Sequence, residues 1–343
     1  MSRFKLEYEK LELVPSHPFT IARGTKETVP NVLVKLTADG ITGLGEAGPN
    51  SRYNEDADTV IAFLKQLPAS FFDEINSAEV VWEKLQQIDQ SVQSAKTAVE
   101  MAWLDWWGKS QGQPLWKLWD APSQQTPPTS FTIGLDDIDV MQQKVEGAKE
   151  YPILKVKLGT DRDVEIIKGI REVSDQIIRV DANEGWADLD TAKRQVRFLA
   201  DQNVEFIEQP MPASCKEELI QLKQWSPLPI IADESFVGRE YMDEIADQFD
   251  GINIKLQKVG SLVEAFKLID KAREQNIEVM IGCMIESSLG IAAGALLGTW
   301  ADYVDLDGHL LISNDPFSGL TLTKNKEVRL SDNPGLGIEE SKK

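Results

Sequence analysis

Only two cysteines, Cys215 and Cys283, occur in 343 residues, too few for a disulfide framework or a thiolate metal cluster. Histidine is as scarce. His17 and His309 are the only two, which sets aside His-rich zinc sites and any catalytic scheme that needs several imidazoles. Basic residues are outnumbered, 36 Lys and Arg against 56 Asp and Glu for a formal charge of -20, so nonspecific attraction to nucleic acid through a basic face is excluded. No apolar run reaches membrane-spanning length, because charges interrupt each one, and the opening MSRFKLEYEK has no stretch suited to a signal peptide. A cytoplasmic location is expected, with neither a membrane nor a nucleic acid as partner.

What the chain does have is order. Residues 3–12 and 32–36 alternate as strands do, and Asp39-Gly40 followed by ITGLGEA reads as a turn into another strand. Residues 57–67 and 78–107 change to helical period; Ala95, Ala98, Ala102, Trp103 and Trp106 share one face, which reads as helix core. The Pro/Gln/Ser-rich segment APSQQTPPTS, 121–130, is the linker candidate. After it come TSFTIG, LKVKL, IIRVDAN, VEFIEQP, PIIADES, GINIKL, IEVMIG and YVDLD, alternating with helix-compatible stretches at 192–200, 216–223, 241–248 and 262–275.

Asp181, Glu208 and Asp233 are 27 and 25 residues apart, each at the end of one of these apolar stretches. That is the length of a strand, a helix and two short loops. An open parallel sheet would give the same local pattern. A closed α/β barrel explains it better, because markers at the carboxyl ends of barrel strands surround one mouth. One such carboxylate would be an ordinary helix cap, but three at matching offsets converge, and they cannot all stay ionised without a counter-charge. A hard cation with oxygen ligands, Mg²⁺ first, answers that need, leaving positions for water and a substrate carboxylate or enolate. Asn183, Glu234 and Ser235, close by in sequence, are expected to orient the ligands.

Lys155 and Lys157 stand two residues apart, so a strand points both to one face. Inside a barrel that face leads to the polar mouth, since an unpaired buried ammonium is costly. Lys255 repeats the pattern in INIKL, while Lys258 reads as a loop charge. Lysines on opposite sides of a substrate suggest removal of a proton α to a carboxylate from one face and its return to the other. Mutual repulsion and partial desolvation are expected to favour neutral lysine. Asp305 and Asp307 form a second pair two apart in YVDLDGHL, suited to a cationic substrate group such as an α-ammonium. Gly43, Gly45 and Gly48 lack the βαβ context of a dinucleotide site. Gly24 and GPNSRYNE read as loops over the barrel mouth.

The motifs LKVKL, DANEGW, IEQP, ADES and INIKLQKVG resemble the muconate-lactonizing subgroup of the enolase superfamily over nearly the whole chain. The resemblance implies an α/β fold, a modified TIM barrel (β/α)₇β with an α+β N-terminal capping domain. The cap is expected at 1–125, the barrel at 126–320, and a C-terminal segment returning to the cap at 321–343. It implies Asp181, Glu208 and Asp233 as Mg²⁺ ligands, Lys157 and Lys255 as the two acid/base groups, and Lys155 beside the substrate carboxylate. DLDG and CMIES resemble dipeptide epimerases, whose Asp-x-Asp pair holds the free amino group, and Thr132 and Ile285 match substrate-contact positions. The sequence departs from that pattern at Gly308-His309. Arg23 could meet an acidic side chain, as in Ala-Glu epimerases, but ARG is offset by one residue, so small or hydrophobic dipeptides are expected. An Ala-Glu epimerase, an N-acylamino-acid racemase, an o-succinylbenzoate synthase and a noncatalytic peptide-binding protein are the alternatives. A homo-oligomer is compatible with the resemblance.

Overall fold

The computed structural model describes residues 3–21, 24–238 and 240–341. The chain opens with an antiparallel sheet of β1 (Lys5–Leu13), β2 (Val29–Ala38) and β3 (Ile41–Ala47), in that order. Ala38 pairs with Ile41, and Asp39 and Gly40 between them have φ of 53° and 76°. Positive φ at both turn positions matches the right-handed twist of the strands, which is why Asp-Gly stands there. Helices α1 (Ala57–Leu64), α2 (Ala78–Ile88) and α3 (Gln93–Gln111) cover the sheet. A Cβ on Gly43 would lie 2.0 Å from the Ala102 carbonyl oxygen, and one on Gly45 1.9 Å from that of Ala98. These glycines exist so that α3 can lie directly on β3.

The helical period expected over 78–107 is carried by two helices. The Asp89 carboxylate accepts hydrogen bonds from the backbone N–H and hydroxyl of Ser91, both at 2.6 Å, and Glu55 takes the N–H groups of Gln93 and Ser94 at the start of α3. Side-chain acceptors thus replace the intrahelical partners at the break.

Eight parallel strands follow: β4 (Phe131–Ile133), β5 (Ile153–Lys157), β6 (Ile177–Asp181), β7 (Val204–Glu208), β8 (Ile230–Ala232), β9 (Gly251–Lys255), β10 (Glu278–Gly282) and β11 (Tyr303–Asp305), paired in chain order. Between them run α4 (Ile138–Gly147), α5 (Asp163–Val173), α6 (Leu189–Leu199), α7 (Lys216–Trp225), α8 (Met242–Gln248), α9 (Leu262–Glu274) and α10 (Ser288–Gly298). Seven helical crossovers between eight strands make a (β/α)₇β barrel. Its ends meet where Thr129 bridges Val304 and the Thr129 hydroxyl accepts from the Leu306 N–H at 2.9 Å.

The expected linker is not free. Gln125–Pro128 is a strand antiparallel to Glu327–Arg329. The C-terminal stretch continues onto the cap: the Leu115 N–H donates to Gly335 and the Trp116 indole to Ser331, each at 2.9 Å, while Leu336 donates to Asp105 at 2.8 Å.

Two buried glutamates of the cap sit at helix starts of the barrel. Glu100 on α3 accepts from Ser261 at 2.7 Å and from the Leu262 N–H, at the head of α9. Glu46 on β3 accepts from the N–H groups of Ser287 and Gly290 at 3.0 and 3.1 Å, at the head of α10. A carboxylate there satisfies orphan N–H groups and faces the positive end of the helix dipole. Burial nevertheless pushes Glu100 up to about 8. Its unfolded value is lower, so the unfolded chain ionises first, and this group removes stability as pH rises from about 4.5 toward 8, levelling off above. Glu100→Gln is expected to flatten the fall in melting temperature between pH 5 and 8. An unchanged pH profile would dismiss Glu100 as its source. Among the described residues, no helix is long and apolar enough to cross a membrane.

Candidate active site

The barrel register brings the charged residues to one level. Lys157 pairs with Asp181 and Asp181 with Glu208 across β5, β6 and β7; Asp233 follows β8, Lys255 ends β9 and Asp305 ends β11. Lys155, Lys157, Asp181, Glu208, Asp233, Lys255, Asp305 and Asp307 are all buried. They line or adjoin a cavity of about 380 Å³ at the carboxyl ends of the strands.

Lys155 is the hub. Its ammonium lies 2.6 Å from Asp305, 2.7 Å from Glu208 and 3.1 Å from Asp181. Lys157 lies 2.6 Å from Asp181, and Lys255 2.9 Å from Asp233. Burial alone would push Lys155 down, but the carboxylates of Asp305, Glu208 and Asp181 outweigh it and raise the lysine. Burial also opposes the charge on Lys255, and Asp233 with Glu208 again wins. Paired directly with these carboxylates both lysines favour the ammonium; the neutral lysine expected of the metal-bound site requires Mg²⁺ to take up the carboxylates of Asp181, Glu208 and Asp233. Repulsion between ammoniums is real, but oxygens of opposite charge are much closer.

Burial works against ionised carboxylates too, yet Lys157 and Lys155 hold Asp181 below its ordinary value, and Lys255 and Lys258 do so for Asp233. Glu208 is left over: burial, then the charge of Asp181, pushes it up to about 7. One ligand oxygen from each of Asp181, Glu208 and Asp233 lies within 4.8 Å of the others. Oxygens on opposite sides of Mg²⁺ would be about 4.2 Å apart with bonds near 2.1 Å. The donor set therefore fits a small hard dication, whose charge would also remove the penalty on Glu208.

The expected orienting residues separate. The Asn183 N–H donates to Asp181 at 2.9 Å and its amide to Glu234 at 3.4 Å. Ser235 touches no ligand carboxylate directly; its N–H and hydroxyl meet the side chain of Gln209, whose Oε1 also accepts from the Asp233 N–H at 3.0 Å. Gln209 is thus the clasp between the two loops. Asn253, which no spacing or motif marks, also serves the triad: it donates to Glu208 at 2.8 Å.

Lys258 is not a loop charge. It is buried in the one-turn helix Leu256–Val259 and lies 2.6 Å from Asp233, donating also to the carbonyls of Asp233, Phe236 and Asn253 at 2.7, 2.8 and 3.1 Å. A helical turn straight after β9 swings it inward, which a strand-and-loop spacing rule cannot anticipate.

Thr132, Ile285, Asp305 and Asp307 line the same cavity. Asp305 accepts from Ser130 at 2.8 Å and Asp307 from the Thr132 N–H at 2.6 Å. Burial, then the neighbouring Asp305, pushes Asp307 up to about 7. Gly308 suits its place, since a Cβ there would lie 2.5 Å from the Met284 carbonyl oxygen, and burial lowers His309 to about 4, so its imidazole is neutral near pH 7. Arg23 lies outside the described residues. From the cap, Gly24 and the segment Pro49–Asn50–Ser51–Arg52–Tyr53 reach the cavity. Arg52 donates twice to Glu184 at 3.2 Å, cap loop to barrel loop.

Residues 8–119 match the model of the mandelate racemase / muconate lactonizing enzyme N-terminal domain, and 139–343 that of the enolase C-terminal domain-like family. The chain belongs to the enolase superfamily. Relatives within the superfamily are close in length: it is 38% identical to an L-Ala-D/L-Glu epimerase of Bacteroides thetaiotaomicron over 98% of this chain and 88% of that protein. It is 34% identical to a hydrophobic dipeptide epimerase of Roseobacter litoralis over 97% of this chain and 98% of that one. Among solved enolase-superfamily structures, a dipeptide epimerase of Cytophaga hutchinsonii complexed with Mg and D-Ala-L-Val superposes with a TM-score of 0.89, at 26% identity, covering 98% of this chain and 95% of that chain.

Proposed function

We propose that the chain is a Mg²⁺-dependent dipeptide epimerase that inverts the α-carbon of the C-terminal residue. The observation that carries this is the placement of Lys157 and Lys255 on the second and sixth strands of an eight-stranded barrel, half a turn apart around one cavity. A substrate between them presents opposite faces of its α-carbon to two amines. One takes the α-proton, leaving the enediolate, and the other returns a proton from the far side. Lys155 stands beside the substrate carboxylate, where its charge favours the enediolate over the ground state. Asp181, Glu208 and Asp233 would hold the Mg²⁺, which would supply further positive charge at that carboxylate.

Asp305 and Asp307 receive the free amino group of the dipeptide. Asp307, pushed up to about 7 by burial and then by the charge of Asp305, gains most from an ammonium. Thr132 and Ile285 contact the peptide, and Asn183, Glu234 and Ser235 orient the ligands' loops. Small or hydrophobic dipeptides are favoured. Val29, Ile285 and Leu311 give the cavity an apolar wall, and Arg52 is already engaged by Glu184. The same reading takes 1–125 as cap, 126–320 as barrel and 321–343 as a segment returning to the cap, in a cytoplasmic enzyme that assembles as a homo-oligomer.

Deuterium incorporation from D₂O at the C-terminal α-carbon, with inversion, is expected for Ala-Ala and Ala-Val in the presence of Mg²⁺, and chelation should stop it. Ala-Glu is expected to be the poorer substrate. A strong preference for Ala-Glu that collapses in Arg23→Ala would reverse the choice of dipeptide, and no exchange on any dipeptide by Mg²⁺-loaded protein would reject the epimerase.

A further inference from the structure

Cys283, Met284 and Ile285, in the loop 283–287 between β10 and α10, form one wall of the cavity, and two residues of the cap hold that loop: Asn31, which lines the cavity beside it, and Glu46 behind it. Asn31 on β2 is fully buried, and its amide nitrogen donates both to Glu46 at 2.7 Å and to the carbonyl of Ile285 at 3.1 Å. Glu46 in turn takes the N–H and hydroxyl of Ser287. The amide cannot turn over, since that would set its oxygen against two acceptors. The Ile285 side chain packs with Leu13, Val29 and Ile312, all but the last from the cap. Backbone tether and side-chain packing thus fix the same residue from the same side.

The position of this loop decides which part of a dipeptide it meets. Strand β10 pairs with β11, Gly282 opposite Asp305; a Cβ on Gly308, next after Asp307, would touch the Met284 carbonyl. The loop therefore borders the two aspartates, on the side of the cavity away from Lys157. With the amino group on Asp305 and Asp307, the side chain nearest Ile285 belongs to the N-terminal residue.

Resting on the epimerase reading, we infer that Asn31 and Glu46 are positioning residues that set the size of the subsite for the N-terminal residue of the dipeptide, by holding Ile285 inward. Glu46 lies behind the cavity lining and acts through the loop, whereas Asn31 also lines the cavity, so Ser287→Ala is the variant that isolates the position of the loop. Discrimination at this residue and at the C-terminal one should then be separable.

The experiment compares kcat/KM for Leu-Ala against Ala-Ala, which differ only at the N-terminal residue, and for Ala-Val against Ala-Ala, which differ only at the C-terminal one. In Asn31→Leu the first ratio is expected to rise about tenfold, the scale of a methylene or two in an apolar pocket, while the second stays within about threefold. Ser287→Ala, which loosens Glu46 without touching the Ile285 carbonyl, should shift the first ratio the same way by less, and it carries the test if Asn31→Leu does not fold. Two unchanged ratios, or two that move together, overturn the inference while the activity of the unaltered protein keeps the epimerase intact. An unaltered protein that exchanges no dipeptide removes both.

Discussion

Lys157→Ala and Lys255→Ala are each expected to lower epimerisation by about 10²- to 10⁴-fold, the usual worth of a positioned acid or base, while leaving deuterium exchange from one stereoisomer of the substrate. The two lysines lie half a turn apart in the barrel and are anchored to different carboxylates, Lys157 to Asp181 and Lys255 to Asp233. Removing one leaves the other's geometry in place. The variant without Lys157 should wash deuterium into the isomer whose α-proton faces Lys255, and the reverse for the other. Proton NMR in D₂O, started separately from each diastereomer, reads this directly. If either variant exchanges both isomers at comparable rates, the two lysines do not serve opposite faces.

The second large effect is on stability. Lys258→Met should destabilise the protein by about 3–5 kcal/mol, as expected when one partner of a buried ion pair is removed and the other is left. The ammonium serves one carboxylate oxygen and three carbonyls of Asp233, Phe236 and Asn253, and methionine fills its volume without a donor. The contacts of Lys255 with Asp233 remain, so the loss stops short of an isolated buried charge. Urea unfolding of chelated protein measures it free of any metal contribution. A change below about 1 kcal/mol would mean that water or a shifted loop replaces the ammonium.

Lys258 also marks how far the sequence could be read. Asp181, Glu208 and Asp233 were legible because a parallel strand delivers its last residue, or the one just after it, to the same rim each time, and Lys155 and Lys157 because two-residue spacing on a strand is unambiguous. Lys258 sits three residues beyond its strand, where a helical turn and a loop give opposite directions. The segment 121–130 looked like a linker because its partner, Glu327–Arg329, is some two hundred residues away, and no local pattern carries that pairing. The break within the helical stretch 78–107 was hidden for the opposite reason. Apolar periodicity persists across the break, and the contacts of Asp89 and Glu55 that make it are individually ordinary. The charge states of Lys155 and Lys255 depend on distances of about 3 Å to carboxylates, which spacing does not supply.

Glu46 and Glu100 restrict how a substrate can get in. Each cap carboxylate is bonded to backbone N–H groups at the start of a barrel helix, so a rigid swing of the cap away from the barrel would strip two helix termini and two buried carboxyl groups of their partners together. Each buried polar group left unmatched costs about 1–3 kcal/mol, and the C-terminal stretch adds the bonds of Leu115, Trp116 and Leu336 to that count. Opening costs less at the rim, where the segment at 49–53 meets the barrel through the partly exposed pair of Arg52 and Glu184 and the contact of the Asn50 amide with the Met284 sulfur. On this count the least costly way into the cavity is at the 49–53 edge, with the rest of the cap left in place.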